Sequence, residues 1–260
     1  MQPPDDPTQL PDTPAERRRA IYLLPNLFTT AAMFAGFYAI IAAMAGRFQT
    51  AAVAIIIIAG VLDGLDGRSA RMTNTQSDFG KEYDSMSDLV SFGIAPALVM
   101  YVWALEGLTG WFWSKIGWLA AFFYAVAAAM RLARFNTQAA ADKRYFVGMA
   151  SPAAAGLLAT FVWVGDSLGY VGGDLVELAM FFTIAAGALM VSRVQYYSFK
   201  DLNLSRRVSF PVLVMVPLVF MLIALNPPRV LFVLAFLYAL SGPALLVWRA
   251  WRRRRTGDPS

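Results

Sequence analysis

The chain has 260 residues, of which 58 % are hydrophobic and only 15 % charged, against about 45–50 % and about 25 % in a typical soluble domain. Too few polar residues are present to cover a water-soluble globule, and the absence of Cys and His excludes disulfides, thiolate nucleophiles, imidazole bases and metal sites built on nitrogen or sulfur. Any catalysis must run on carboxylates, Lys, Arg, Tyr or hydroxyls, and any metal must accept oxygen ligands, as magnesium, manganese and calcium do.

Residues 1–20, MQPPDDPTQLPDTPAERRRA, are Pro-rich and polar, and read as a disordered cytosolic tail ending in a basic cluster, Arg17 to Arg19. The acidic opening without an early apolar core fits no cleavable signal peptide. From residue 21 onward apolar segments recur, each near the roughly 20 residues that cross a bilayer as a helix. They fall at 24–45, 50–67, 84–105, 113–133, 149–165, 175–192, 210–226 and 229–249. Short polar or Gly/Pro stretches such as GDSLGYVGGD at 165–174 and NPP at 226–228 separate them. The expected fold is an all-α, polytopic membrane helical bundle of about eight transmembrane helices. It forms one embedded domain over 21–250, followed by a basic cytosolic tail at 251–260.

Charge orients this bundle. Of the 22 Lys and Arg, all but Arg47, Lys115 and Arg229 fall on the side of the amino terminus, a strong positive-inside bias that places both termini in the cytosol and requires an even number of spans. The net charge of +5 therefore belongs to the inner membrane face. The run WRAWRRRR at 248–255 reads as an anionic-lipid anchor, with no nucleic-acid partner implied.

One region resists a purely structural reading. Residues 63–88 run DGLDGRSARMTNTQSDFGKEYDSMSD. Asp63, Asp66, Gly67, Ala70 and Arg71 share one helical face, as do Gly80, Asp84 and Asp88. Between them MTNTQSDF supplies turn-forming and capping residues. Two helices joined by that turn would bring four carboxylates together at membrane depth, where they repel unless cations sit among them. One or two divalent ions resolve the conflict, and a two-metal cluster clamps the oxygens of a phosphoryl group. Gly67, Ala70 and Gly80 leave room for a ligand to approach closely, and Arg71 can bind a phosphate bidentately.

The pattern D-x2-D-G-x2-A-R-x8-G-x3-D-x3-D resembles the signature of the CDP-alcohol phosphatidyltransferases, matched at Asp63, Asp66, Gly67, Ala70, Arg71, Gly80, Asp84 and Asp88. The resemblance implies that an alcohol attacks the β-phosphoryl of a CDP-linked lipid and releases CMP. It further implies two Mg2+ or Mn2+ ions per site, held by Asp63, Asp66, Asp84 and Asp88, with Asp88 also the base on the incoming hydroxyl. Gly67 and Arg71 would contact the CDP moiety, along with Ala70, Gly80 and Ser77. PNLFTTAAMFAGFYAI at 25–40, RLARFN at 131–136 and KRYFVGMASPAAA at 143–155 are similar to the integral-membrane phosphatidylserine synthases, a branch of that family. There Asn26 and Thr29 would face the CDP-lipid phosphates. The family usually has Pro where this chain has Ala150.

That branch implies CDP-diacylglycerol and L-serine as substrates, phospholipid biosynthesis as the role, a homodimer, and a bacterial cytoplasmic membrane with the active site facing the cytosol. The residues alone leave the acceptor open. Arg131 and Arg134, three apart on one helical face, could hold the carboxylate of serine or the phosphate of an acceptor such as glycerol 3-phosphate. Inositol phosphate and choline are further alternatives. A cation-coupled transporter is the competing class, disfavoured because the acids cluster at the cytosolic end of one helix pair and no internal repeat is present.

Overall fold

The computed structural model describes residues 14–65, 77–108, 113–137, 145–197 and 210–256. The described residues form eight helices. In chain order they are α1 (Pro14–Met44), α2 (Phe48–Leu65), α3 (Asp78–Leu105), α4 (Trp113–Thr137), α5 (Ser151–Ser167), α6 (Gly172–Val191), α7 (Phe210–Leu225) and α8 (Pro227–Thr256). Six of them, α1–α4, α6 and α8, are long and apolar enough to cross a membrane. The other two have 17 and 16 residues, near the lower limit of about 17 residues for a span.

Helix α1 starts at Pro14, within the segment expected as a tail. Pro is tolerated at a first helical position, and AERRRA is made of strong helix formers. Sequence reading also missed a two-stranded antiparallel ribbon, β1 (Tyr145–Val147) with β2 (Gln195–Tyr197), in which Phe146 pairs with Tyr196. Three-residue strands are too short to show a period.

Small residues let the helices approach, as expected where lipid supplies no hydrophobic drive between them. A Cβ on Gly36 of α1 would lie 2.7 Å from the Ser91 Cα of α3, and one on Gly93 would lie 3.1 Å from the Ala128 Cβ of α4. Along the α1–α3 seam, Ser87 Oγ donates to the Thr29 carbonyl at 2.9 Å and Ser91 Oγ donates to the Ala32 carbonyl at 2.9 Å. Thr30 Oγ1 and the Tyr83 hydroxyl add a third bond at 2.9 Å. Both helices run in the same direction, because residues later in α1 meet residues later in α3.

Two prolines inside spans are managed alike. Pro96 has no N–H to give to the Phe92 carbonyl one turn back, and the Tyr124 hydroxyl of α4 donates to that oxygen at 3.1 Å. Pro243 stands in the same relation to Ala239 of α8, whose carbonyl accepts the Tyr196 hydroxyl of β2 at 3.0 Å. Burial pushes the Tyr196 phenol up to about 12, so it remains a donor at neutral pH. Deep in a bilayer such substitutes matter, since no water is present to satisfy a freed carbonyl.

The core is joined around α5. Phe161 meets Trp103 of α3 edge-on at 5.7 Å, Phe182 of α6 at 4.8 Å and Phe232 of α8 at 5.9 Å. Gly165 of α5 is crowded by the same indole, where a Cβ would come within 2.4 Å.

Candidate active site

Helix α2 brings Asp63 to the end of its described length, and α3 presents Asp84 and Asp88 one turn apart. Their carboxylate oxygens lie within 4.8 Å of one another. All three side chains are half-buried and are engaged in further interactions. Three hard oxygen donors converging at that spacing match what a divalent cation such as magnesium or manganese requires, and without cationic company they would repel. The trio is thus able to hold a metal ion. Asp66, Gly67, Ala70 and Arg71 lie outside the described residues.

Local sequence explains how α3 aims its acids. Ser77 adopts an extended backbone and its Oγ accepts the Gly80 N–H at 3.0 Å, a side-chain cap that starts the helix at Asp78. Asp84 and Asp88 then follow one and two turns after Gly80. Gly80 sits against α1, where an added Cβ would be 3.1 Å from Ser77 Oγ and 3.7 Å from Asn26 Oδ1. Asn26, Ser77 and Gly80 therefore occupy one corner, and Thr29 is buried one turn further along α1.

Each acid-bearing helix changes its winding near its acids. Residues 54–59 of α2 and 89–94 of α3 form π-helical turns, the second beginning directly after Asp88. Such turns shift the face that later residues present and recur at functional sites. A simple 3.6-residue period does not reveal them. Pro96, which cannot continue an α-helical ladder backward, is the one local signal near the second.

The two candidate acceptor residues separate. Arg131 is drawn into the bundle, with its Nη1 donating to Ser151 Oγ at 3.0 Å. Its Nε–H is buried without a hydrogen-bond partner among the described residues. Asp88, Tyr124 and Tyr238 stand close enough for electrostatic coupling to the guanidinium. Arg134 is one turn nearer the carboxyl-terminal end of α4, half-buried. Below it, Asn136 Nδ2 donates to Ser85 Oγ at 2.8 Å and ties the end of α4 to the helix that carries Asp84.

Ser151 was not singled out from the sequence. It opens α5, with Ala150 at the capping position, so the Arg131 guanidinium and a helix amino terminus meet at one place. Its position is set by the ribbon. Gly148 has φ +85°, and a Cβ there would come 2.3 Å from the Met190 carbonyl. Its N–H donates to the Val194 carbonyl at 2.8 Å and that of Met149 to the Leu189 carbonyl at 3.0 Å. Only glycine fits that corner.

Comparison with known proteins settles the family. The sequence pattern of CDP-alcohol phosphatidyltransferases matches residues 22–192. The chain belongs to the CDP-alcohol phosphatidyltransferase family. Among members, it is 35 % identical over 223 residues to a CDP-diacylglycerol–serine O-phosphatidyltransferase of Helicobacter pylori strain 26695, covering 85 % of this chain and 90 % of that protein. It is 42 % identical over 156 residues to a protein of the same name from Mycobacterium bovis, covering 56 % of this chain and 52 % of that protein. An archaetidylserine synthase of Methanothermobacter thermautotrophicus is 32 % identical over 176 residues, covering 66 % of this chain and 69 % of its own length. CDP-alcohol phosphatidyltransferases are metal-dependent phosphotransferases. The acidic trio of α2 and α3 lies inside the matched segment, as do Arg131 and Ser151.

Proposed function

We propose that this protein transfers the phosphatidyl group of CDP-diacylglycerol to the hydroxyl of L-serine, giving phosphatidylserine and CMP. The observation that carries the choice of acceptor is the setting of Arg131. With Nη1 engaged by Ser151, the edge formed by Nε and Nη2 offers two parallel donors, the arrangement that grips a carboxylate bidentately. Asp88 lies within electrostatic range of the same guanidinium, so a small amino acid held by its carboxylate would have a carboxylate base near its hydroxyl. The names of the relatives point to the same acceptor.

In this reading CDP-diacylglycerol reaches the site from the cytosolic leaflet, its acyl chains staying in lipid. Asn26, Thr29, Gly67, Ala70, Arg71, Ser77 and Gly80 contact its CDP and phosphate groups. Asp63, Asp66, Asp84 and Asp88 hold two divalent cations, Mg2+ or Mn2+, which when bound offset the carboxylate charge and polarise the phosphoryl oxygens. Arg131 fixes the serine carboxylate, and the amino terminus of α5 adds favourable field there. Asp88 accepts the hydroxyl proton as the serine oxygen bonds to the β-phosphorus. The bond from that phosphorus to the bridging oxygen breaks, and CMP departs.

The inner-membrane location, the cytosolic active site and a homodimer belong to the same proposal. The charge bias along the chain supports the orientation.

Purified protein in detergent, given CDP-diacylglycerol and labelled L-serine or labelled glycerol 3-phosphate in parallel, tests it. Lipid-soluble label and CMP should appear with serine. Label from glycerol 3-phosphate without label from serine would overturn the acceptor assignment.

A further inference from the structure

We propose that the carboxyl-terminal end of α8 docks on anionic phospholipid headgroups, and that this docking steadies the ribbon behind the acceptor site, so that an anionic bilayer promotes acceptor binding. The effect on the acceptor rests on the serine reading above, whereas the lipid surface does not. The segment lies beyond residue 192, where the stretch matched to the family ends.

The apolar span of α8 closes at Arg249, while the helix continues to Thr256. Its last turns therefore emerge at the level of the headgroups, a depth that favours Trp and Arg side chains. Trp248, Trp251 and Arg252 are spaced i, i+3 and i+4, which places them on one face of the helix. All three are exposed, and the Arg252 guanidinium lies over the Trp248 ring, 5.5 Å from its centroid. Indole rings at the acyl boundary with a guanidinium beside them suit a lipid phosphate. The sequence adds Arg253, Arg254 and Arg255, so charge selects an anionic surface over a zwitterionic one. Each basic group near such a surface strengthens binding about fivefold.

Arg249 serves a different face. It stands about 100° around the helix from Trp248 and is half-buried. Helical side chains lean toward the amino terminus, which brings it back to the ribbon, where its Nη1 donates to Gln195 Oε1. Gln195 pairs with Val147 across the ribbon. The next residue of β2, Tyr196, binds α8 a second time through the Ala239 carbonyl. Gly242 admits the Tyr196 ring, since a Cβ there would be 2.5 Å from Tyr196 Cζ. On the other strand, Val147 leads into Gly148, whose N–H is held by the Val194 carbonyl, and on to Ser151, which binds Arg131. Each link from the headgroup layer to Arg131 is thus a hydrogen bond or a few covalently joined residues. A two-stranded ribbon this short is marginally stable alone, so its steadiness depends on what it is tied to. An α8 whose end is anchored in headgroups holds it better than one whose end swings.

Full-length protein is reconstituted in vesicles of phosphatidylcholine, or of phosphatidylcholine with about one-third phosphatidylglycerol, and given labelled L-serine at saturating CDP-diacylglycerol. For wild type, KM for serine should be about fivefold lower in the anionic vesicles. Gln195→Ala keeps every charge of α8 and removes the acceptor of Arg249, and the difference should shrink to less than about twofold. Both proteins share the metal site, so enrichment of divalent ions at an anionic surface acts on them alike. Native mass spectrometry of the detergent-solubilised protein reads lipid binding without turnover. Wild type and Gln195→Ala should retain phosphatidylglycerol over phosphatidylcholine, and a Trp251→Ala, Arg252→Gln double variant should retain less. A serine KM indifferent to lipid charge in wild type, or an equal fall in Gln195→Ala, would refute the coupling. Undiminished retention by the double variant would refute the docking surface. A protein that incorporates glycerol 3-phosphate and no serine would remove the serine reading, and lipid retention would still decide the surface.

Discussion

Arg131→Lys keeps a positive charge beside Asp88 and removes the flat, two-donor edge that a carboxylate grips. Lysine presents a compact ammonium with no second parallel donor, and it cannot bind Ser151 while offering a fork to the acceptor. At least one charge-assisted hydrogen bond to the acceptor carboxylate is lost, about 1.5–3 kcal/mol. That corresponds to a fall of about 10- to 150-fold in kcat/KM for L-serine. The measurement is incorporation of labelled serine into lipid at varied serine and saturating CDP-diacylglycerol, repeated with the two concentrations exchanged. Since, among the described residues, Arg131 bonds Ser151 of α5 and not the Asn26–Gly80 corner, the KM for CDP-diacylglycerol should stay within about twofold. A serine effect below threefold would refute the assignment, as would an equal loss for both substrates.

Asp88→Asn preserves size and removes the proton acceptor, so turnover should fall by at least about 100-fold while CDP-diacylglycerol binding, followed by equilibrium dialysis of a labelled analogue, is largely retained; substantial residual turnover would exclude Asp88 as the base. Tyr124→Phe deprives the Phe92 carbonyl beside Pro96 of its donor, and should destabilise the bundle by about 1–3 kcal/mol, the cost of a buried polar group losing its partner. Thermal unfolding followed by intrinsic fluorescence should show a lower midpoint, and an unchanged midpoint would mean that Phe92 needs no outside donor.

Much of the architecture can be read from local sequence because a bilayer simplifies the rules. Length, apolarity and the placement of Lys and Arg locate helices without knowledge of what packs on what. The convergence of Asp63, Asp84 and Asp88 was expected from their helical spacing, and Ser77 declares itself as a cap by residue type and place. Contacts between distant parts of the chain were not legible. Tyr124 and Phe92 are 32 residues apart, and Tyr196 and Ala239 are 43 apart. A proline inside a span announces that a carbonyl needs help, but not which tyrosine supplies it. Nor could spacing distinguish Arg131 from Arg134, which share a face of α4. The difference arises from Ser151, contributed by α5, which holds the Arg131 guanidinium. The π-helical turns near Asp63 and Asp88 likewise depend on tertiary packing, and α1 extends further toward the amino terminus than its apolar stretch suggests.

The decisive measurement is a titration of purified, chelator-stripped protein with Mn2+, followed by electron paramagnetic resonance, for wild type and for Asp84→Asn. Saturable binding in wild type that is weakened at least about tenfold by the substitution, with activity restored along the same titration curve, is the expected result. Full activity in the metal-free protein, or Mn2+ affinity indifferent to the loss of the Asp84 charge, would contradict a divalent-ion site built from the acids of α2 and α3.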